Sequence, residues 1–136
     1  MSGAAVYARA SDLGGASPRE TEIIAFGLCN SRLARATTSG ERVAALHKTH
    51  ELWSILFRDL SSNNNQLPAQ LRSDLIGLGM WAMQYSVAAM SSDLALQPLI
   101  DVNRNVADGL RAQQPAAPVV LPSMRMPQQG LQAFSA

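Results

Sequence analysis

The segment from residue 67 to residue 90 constrains the fold most, because its helical pattern is apolar on two sides. A first stripe, at spacings of three and four residues, contains Leu71, Leu75, Leu78 and Ala82. A second stripe, on nearly the opposite side, contains Ile76, Met80, Met83, Val87 and Met90. A helix with two apolar faces has two neighbours, so this helix is either central to a bundle or keeps one face for a partner.

Three further segments have helical periodicity, and none shows the sustained period-two alternation of a strand. The first helix is predicted to begin at residues 17–20, where Ser17 and Glu20 match a capping box and Pro18 suits the first turn. The second runs from about residue 41 to residue 60, and the fourth follows Pro98. The sequence therefore predicts an all-α fold, a small bundle of about four main helices in which the second and third form the central antiparallel pair.

The second helix carries an apolar stripe at the 3.6-residue period, whose predicted members are Val43, Leu46, His50, Trp53, Phe57 and Leu60. Leu52 and Leu56 widen this stripe on one flank. Ile55 falls on the opposite side among charged residues, where solvent is expected. In the fourth helix, Asn103 lies within the apolar stripe and must be hydrogen-bonded if it is buried.

A chain of 136 residues has room for one domain with a modest core. We predict an N-terminal arm at residues 1–16, a helical domain at 17–112 and a flexible tail at 113–136. The tail is rich in proline, glutamine and alanine and has no acidic residue.

Charge and cysteine content exclude several functional classes. Ten acidic residues against eleven basic ones give a net charge of +1, which provides no basic footprint for nucleic acid. Cys29 is the single cysteine, so no intrachain disulfide can form. The first residues lack a signal-peptide pattern, and residues 75–90 are too few to cross a bilayer. We expect a cytoplasmic protein without membrane insertion.

Residues that could carry chemistry are scattered. His47 and His50 could bind zinc only with ligands from elsewhere in the chain, and they do not match the metalloprotease spacing. Cys29 has no histidine and aspartate arranged around it as a nucleophile would need. Residues 77–79, Gly-Leu-Gly, lie inside a helical pattern and are better explained by close packing than by phosphate binding. We therefore predict no catalytic, metal-binding or cofactor-binding residues, and no cofactor.

The second stripe of the third helix is the candidate binding surface. Methionine side chains are flexible and polarizable, so they can accept partner helices of different shapes, although they also fill ordinary cores. The candidate partner-binding residues are Met80, Met83, Val87, Met90 and Ile76. Three aromatic residues are candidate core anchors or edges of the groove, namely Trp53, Phe57 and Trp81.

An ordered series of short motifs resembles the FlaF family of flagellar biosynthesis regulators. The series starts with Tyr7 and the segment 17–22, followed by Leu52-Trp53, Asp59-Leu60 and the segment 65–68. It continues with Leu71-Arg72, Leu75-Ile76, Leu78, Trp81, Ser86, Met90, the segment 99–104 and the segment 108–110. The resemblance covers roughly residues 7–111. The chain departs from the family in its tail and in Thr49-His50, where an asparagine often precedes Leu-Trp.

The resemblance implies a cytoplasmic protein without catalysis that is needed for flagellin synthesis and export. It implies flagellin as a partner in a chaperone-like interaction and FlbT as a companion regulator. Two alternatives stay open: a post-transcriptional regulator that contacts flagellin messenger RNA directly, and a structural protein whose apolar face pairs with itself. The net charge and the few aromatic residues argue against direct contact with nucleic acid. The sequence leaves the oligomeric state undetermined.

Overall fold

The computed structural model describes residues 17–113, which form four α-helices and no strand. They are α1 (Pro18–Arg35), α2 (Ser39–Leu60), α3 (Ala69–Met90) and α4 (Gln97–Arg111). The predicted all-α bundle of four helices is therefore confirmed. The predicted arm at residues 1–16 lies outside the described residues, as does the predicted tail apart from residue 113.

Reciprocal capping fixes the starts of α1 and α2. The Ser17 hydroxyl accepts from the Glu20 N–H at 3.1 Å, and the Glu20 carboxylate accepts from the Ser17 N–H at 3.4 Å, which confirms the predicted capping box. Thr38 and Glu41 form the same arrangement at the start of α2. Each such cap contributes on the order of 1 kcal/mol, enough to define where a helix begins.

The central pair is α2 and α3, which share the most extensive contact in the described part of the chain. Arg42, near the start of α2, donates from Nη2 to the carbonyls of Ala89, Ser92 and Leu94 at 3.2, 3.1 and 2.6 Å. The start of α2 thus lies beside the end of α3, while residues 61–68 join their other ends. This arrangement confirms the predicted antiparallel pair.

The second pair is α1 and α4, which also run in opposite directions. Asn30, in the second half of α1, donates from Nδ2 to the Ile100 carbonyl near the start of α4 at 3.0 Å. At the other end of the pair, Arg111 lines a depression with Ile23 and Ile24 of α1. Helix α1 packs in addition against α2, and α4 packs less extensively against α3.

Trp53 of α2 contacts all three other helices from the centre of the core, where it is fully buried. Its ring meets that of Phe26 in α1 edge-to-face, with centroids 5.2 Å apart. It lies against Gly79 of α3, and its Nε1–H donates to Asn103 Oδ1 in α4 at 2.8 Å. Asn103 in turn donates from Nδ2 to Asn30 Oδ1 at 3.0 Å. Buried Asn103 is therefore hydrogen-bonded, as its place in the apolar stripe predicts.

The predicted apolar stripe of α2 is partly wrong. Val43 is exposed, and His50 and Phe57 are only half-buried. The other predicted members are fully buried, as are the two residues predicted to widen the stripe on one flank, namely Leu46, Trp53, Leu60, Leu52 and Leu56. The physical reason is that α2 packs against α1 as well as α3. The buried face of α2 is therefore shifted from the line of Val43, His50 and Phe57 toward the side of Leu52 and Leu56. Ile55 is also half-buried, because the start of α1 and residues 64–66 form a depression with it.

We expect Asn103→Ala to lower the free energy of unfolding by about 2–4 kcal/mol, because the buried Trp53 Nε1–H and the side-chain oxygen Oδ1 of Asn30 lose their partner. Urea denaturation followed by tryptophan fluorescence measures this loss. Asn105→Ala, at an exposed position of the same helix, is the matched control and should change stability by about 0.5 kcal/mol or less. Equal effects of the two substitutions would contradict a structural role for the network.

We expect alanine to have opposite effects at two helical glycines. A Cβ at Gly79 would lie 3.2 Å from Trp53 Cε3, so Gly79→Ala should destabilise by about 1 kcal/mol or more. A Cβ at exposed Gly27 meets nothing within 4 Å, so Gly27→Ala should stabilise α1 by up to about 1 kcal/mol. Thermal and urea unfolding of both variants give the comparison, and stabilisation by Gly79→Ala would show that the contact with Trp53 is loose.

Candidate functional site

Two exposed large apolar side chains lie on one face of α3. Met80 retains 50% of its accessible surface and Val87 retains 54%, and they are seven residues apart on the helix. Leu28 on α1 and Val43 on α2 are the other large apolar residues exposed in the described part of the chain. Helix α3 is thus the one of the four that presents two such residues on one face.

The remaining residues of the second stripe are shared with the core. Ile76, Met83 and Met90 are half-buried and pack against the core cluster. The stripe therefore lies beside the buried face of α3 and not nearly opposite to it, which corrects the prediction from the sequence. Its inner edge supports the bundle, and its outer edge, at Met80 and Val87, remains available.

A shallow depression of about 540 Å³ lies where α2 and α3 meet this surface. His50 contributes from α2, and Met83, Gln84, Val87 and Ala88 contribute from α3. The sequence pattern places His50 in the stripe of α2 and gives no sign that it lies beside the α3 surface. The pairing of α2 with α3, which only the fold provides, brings them together.

The surface of α3 carries no formal charge over most of the helix. No Asp, Glu, Lys or Arg occurs from residue 75 to residue 92. Helices at protein surfaces ordinarily place charged residues on the solvent side. Because α3 instead presents methionine, valine, glutamine, glycine and serine, its exposed face suits an apolar, uncharged partner.

The three aromatic candidates occupy different depths. Trp53 is fully buried, and Trp81 is 3% exposed and stacks on Tyr85 with centroids 4.9 Å apart. Phe57 is half-buried and lies against Gly79, and it is the one of the three that reaches the surface beside α3. The Trp81 Nε1–H is buried and has no acceptor among the described residues.

The candidates for chemistry stay apart in the fold. Burial raises the pKa of the Cys29 thiol to about 11, which opposes a nucleophilic thiolate. Residues 17–113 contain no group of three or more His, Cys, Asp or Glu side chains that could hold a metal ion. Gly79 lies within α3, where it packs on the indole of Trp53 from α2, and it does not belong to a phosphate-binding loop. Across the same residues, every helix is too short or too polar to cross a membrane.

We expect Cys29 to react slowly with a thiol reagent in the native protein. Raising the pKa from 9.0 to about 11 lowers the thiolate population near pH 8 by roughly a hundredfold, and burial restricts access further. The release of thionitrobenzoate from Ellman's reagent, with and without denaturant, measures the difference. Because the chain has one cysteine, the signal is unambiguous. Rapid native reaction would show that the α1–α2 contact around Cys29 opens readily.

Comparisons with known proteins identify the family. A family model described as "Flagellar protein FlaF" matches residues 4–110, which include α1, α2, α3 and nearly all of α4. No curated protein and no solved structure gives a significant match. The family model covers well over half of the chain and confirms the resemblance in the motifs, and the family is not one of enzymes. The chain therefore belongs to the FlaF family of flagellar proteins.

Proposed function

We propose that this protein regulates flagellum biogenesis by binding flagellin in a chaperone-like manner, thereby supporting flagellin synthesis and export. Membership of the FlaF family supports a role with flagellar partners. The observation that carries the proposal is the exposed, uncharged stripe on α3, with Met80 and Val87 about half exposed. We place this activity in the cytoplasm, where flagellin is made.

The physical basis of the proposal is the protection of apolar helices. We take monomeric flagellin to expose amphipathic terminal helices, which would otherwise assemble or aggregate. A chaperone can cover such a helix by accepting its apolar face in a groove. Met80, Met83, Val87, Met90 and Ile76 are the proposed contact residues. Their flexible side chains allow the groove to adapt to the shape of the bound helix.

FlbT is a second proposed partner, through the resemblance to the family. No described residue is assigned to it, because the α3 surface is already proposed for flagellin. A complex of three proteins would require FlbT to bind elsewhere on the bundle or to flagellin itself.

Direct binding to messenger RNA is the less favoured alternative. Proteins that bind single-stranded nucleic acid combine a basic groove with aromatic side chains on which bases stack. From residue 75 to its end α3 carries no basic residue, and the indoles of Trp53 and Trp81 are buried. Self-association through α3 is the other alternative, and it competes for the same surface.

We expect Met83→Glu to weaken flagellin binding by about tenfold or more, because a carboxylate would be buried against an apolar helix without a partner. Isothermal titration calorimetry with purified cognate flagellin measures the affinity. Leu28→Glu is the control outside the stripe, since Leu28 is a large apolar residue exposed on α1. A chain that ends at residue 113 should bind as the full chain does.

Circular dichroism and urea denaturation must show that Met83→Glu remains folded, since Met83 packs partly on the core. Unchanged affinity of a folded variant would remove the α3 stripe from the interface. Loss of binding on truncation would place the site in residues 114–136. Absence of any binding by the native protein would refute the proposed function.

A further inference from the structure

Helix α1 presents an apolar surface that the proposed function does not use. Ile23 and Ile24 are half-buried, and they line a depression of about 450 Å³ together with Glu20 and Arg111. Leu28, one helical turn after Ile24, retains 52% of its accessible surface. Because residues three and four apart are neighbours on a helix, these aliphatic side chains share one side of α1, which we call its outer face.

The segment that precedes α1 has the pattern to cover this outer face. Its larger apolar residues recur at helical spacings with one alanine between them, namely Val6, Tyr7, Ala10 and Leu13. Ser11 and Asp12 fall outside that stripe, and the four alanines among residues 4–13 favour a helix. Gly14 and Gly15 follow directly and suit the end of a helix and a turn. The sequence therefore predicts a short amphipathic helix followed by a reversal of the chain.

We propose that residues 4–13 fold back over the outer face of α1, so that their apolar side chains cover Ile23 and Ile24. A helix of ten residues is about 15 Å long, and the distance along α1 from Ser17 to Leu28 is about 17 Å. The three residues that join the two helices match the two to five of a helical hairpin loop. The segment thus has the length to cover the outer face from end to end.

The family comparison favours this segment over the tail as the occupant. The tail also starts close to the depression, since Arg111 in the last turn of α4 lines it. The FlaF family model, however, matches residues 4–110, so it includes the segment before α1 and ends before the tail. The tail also carries four prolines from residue 115 to residue 127, which prevent it from forming a continuous helix.

The size of the outer face favours an occupant from the same chain over a second copy. A stable interface between proteins buries about 800 Å² on each partner. Three aliphatic side chains contribute less than half of this, at roughly 60–120 Å² each when fully buried. A segment joined directly to α1 needs no such area, because its effective concentration beside the helix is on the order of millimolar or higher.

Trypsin cleavage of the full chain provides the test, because residues 1–16 and residues 114–136 contain one basic residue each, Arg9 and Arg125. Cleavage after Arg9 should be at least about tenfold slower than in a synthetic peptide of residues 1–16, since trypsin cuts only the detached state. Cleavage after Arg125 should stay within about threefold of the rate in a peptide of residues 114–136. Mass spectrometry of the fragments over time gives both rates.

Two pairs of variants locate the contact. Val6→Glu places a carboxylate in the apolar stripe and should raise cleavage after Arg9 to the peptide rate, whereas Ala5→Glu, on the other side of the predicted helix, should leave the protection unchanged. Ile24→Glu in α1 should release the segment in the same way, and Ala34→Glu, at an exposed position near the end of α1, is its control. Urea denaturation must show that the α1 variants remain folded.

Each contrary result overturns the proposal in its own way. Cleavage of the native chain after Arg9 at the peptide rate would show that the segment does not pack on the bundle. Unchanged protection in folded Ile24→Glu would place the segment on another surface. Protection that is lost on dilution, together with a dimer in light scattering, would identify a second copy as the occupant. Slow cleavage after Arg125 with rapid cleavage after Arg9 would identify the tail.

Discussion

The hydrogen-bonded contact between Trp53 and Asn103 is the interaction on which the rest of the structure depends. An indole N–H buried in an apolar core costs free energy unless it finds an acceptor, and Asn103 Oδ1 provides one at 2.8 Å. The side-chain N–H groups of buried Asn103 need acceptors in turn, and Asn30 Oδ1 of α1 is one of them. The chain continues when Asn30 donates to the Ile100 carbonyl. Three helices are thereby held in one register by directional bonds, which apolar packing alone would not specify.

The same indole also determines how closely α3 can approach. Gly79 of α3 faces the rings of Trp53 and Phe57 of α2. The two helices therefore approach each other where α3 has no side chain. Gly79 stands one residue before Met80 and four before Met83 on the helix. The position of the exposed stripe thus follows from a contact inside the core. A change at Trp53 would reach the exposed stripe through α3, without altering any of the proposed contact residues.

Much of the fold was predictable because its signals are local. Each of these signals depends on residues that are neighbours in the chain: the capping box at residues 17–20, the helical periods, and the polar residues 61–66 before α3. The four helices follow from them. The buried arc of α2 was less predictable, because it depends on which helices pack on both sides. Val43 belongs to the predicted apolar stripe and is nevertheless exposed, whereas Leu56, predicted only to widen the stripe on one flank, is fully buried.

The candidate site shows the same division between local and long-range information. The spacing of Met80, Met83 and Val87 is visible in the chain and predicts one helical face. How much of that face the core uses depends on the angle between α3 and α2, which the sequence does not state. The sequence also does not show that His50 lines a depression with Met83 and Val87, because His50 lies more than thirty residues before them in the chain.

Helix α3 depends on its neighbours for stability more than α1 and α2 do. It has no side-chain cap, no acidic residue in its first turn and no basic residue in its last turn, whereas α1 and α2 have all three. Arg42 of α2 replaces the missing C-terminal stabilisation by donating to the Ala89 carbonyl in the last turn of α3 and to the Ser92 and Leu94 carbonyls just beyond it. Tyr85 adds a hydrogen bond to the Ala95 carbonyl at 2.6 Å, just beyond that end. The uncharged part of α3, from residue 75 onward, is thus stabilised from outside, so a partner that docks on it would not have to order it first. Preorganisation of this kind lowers the entropic cost of binding, which favours α3 as the proposed contact surface.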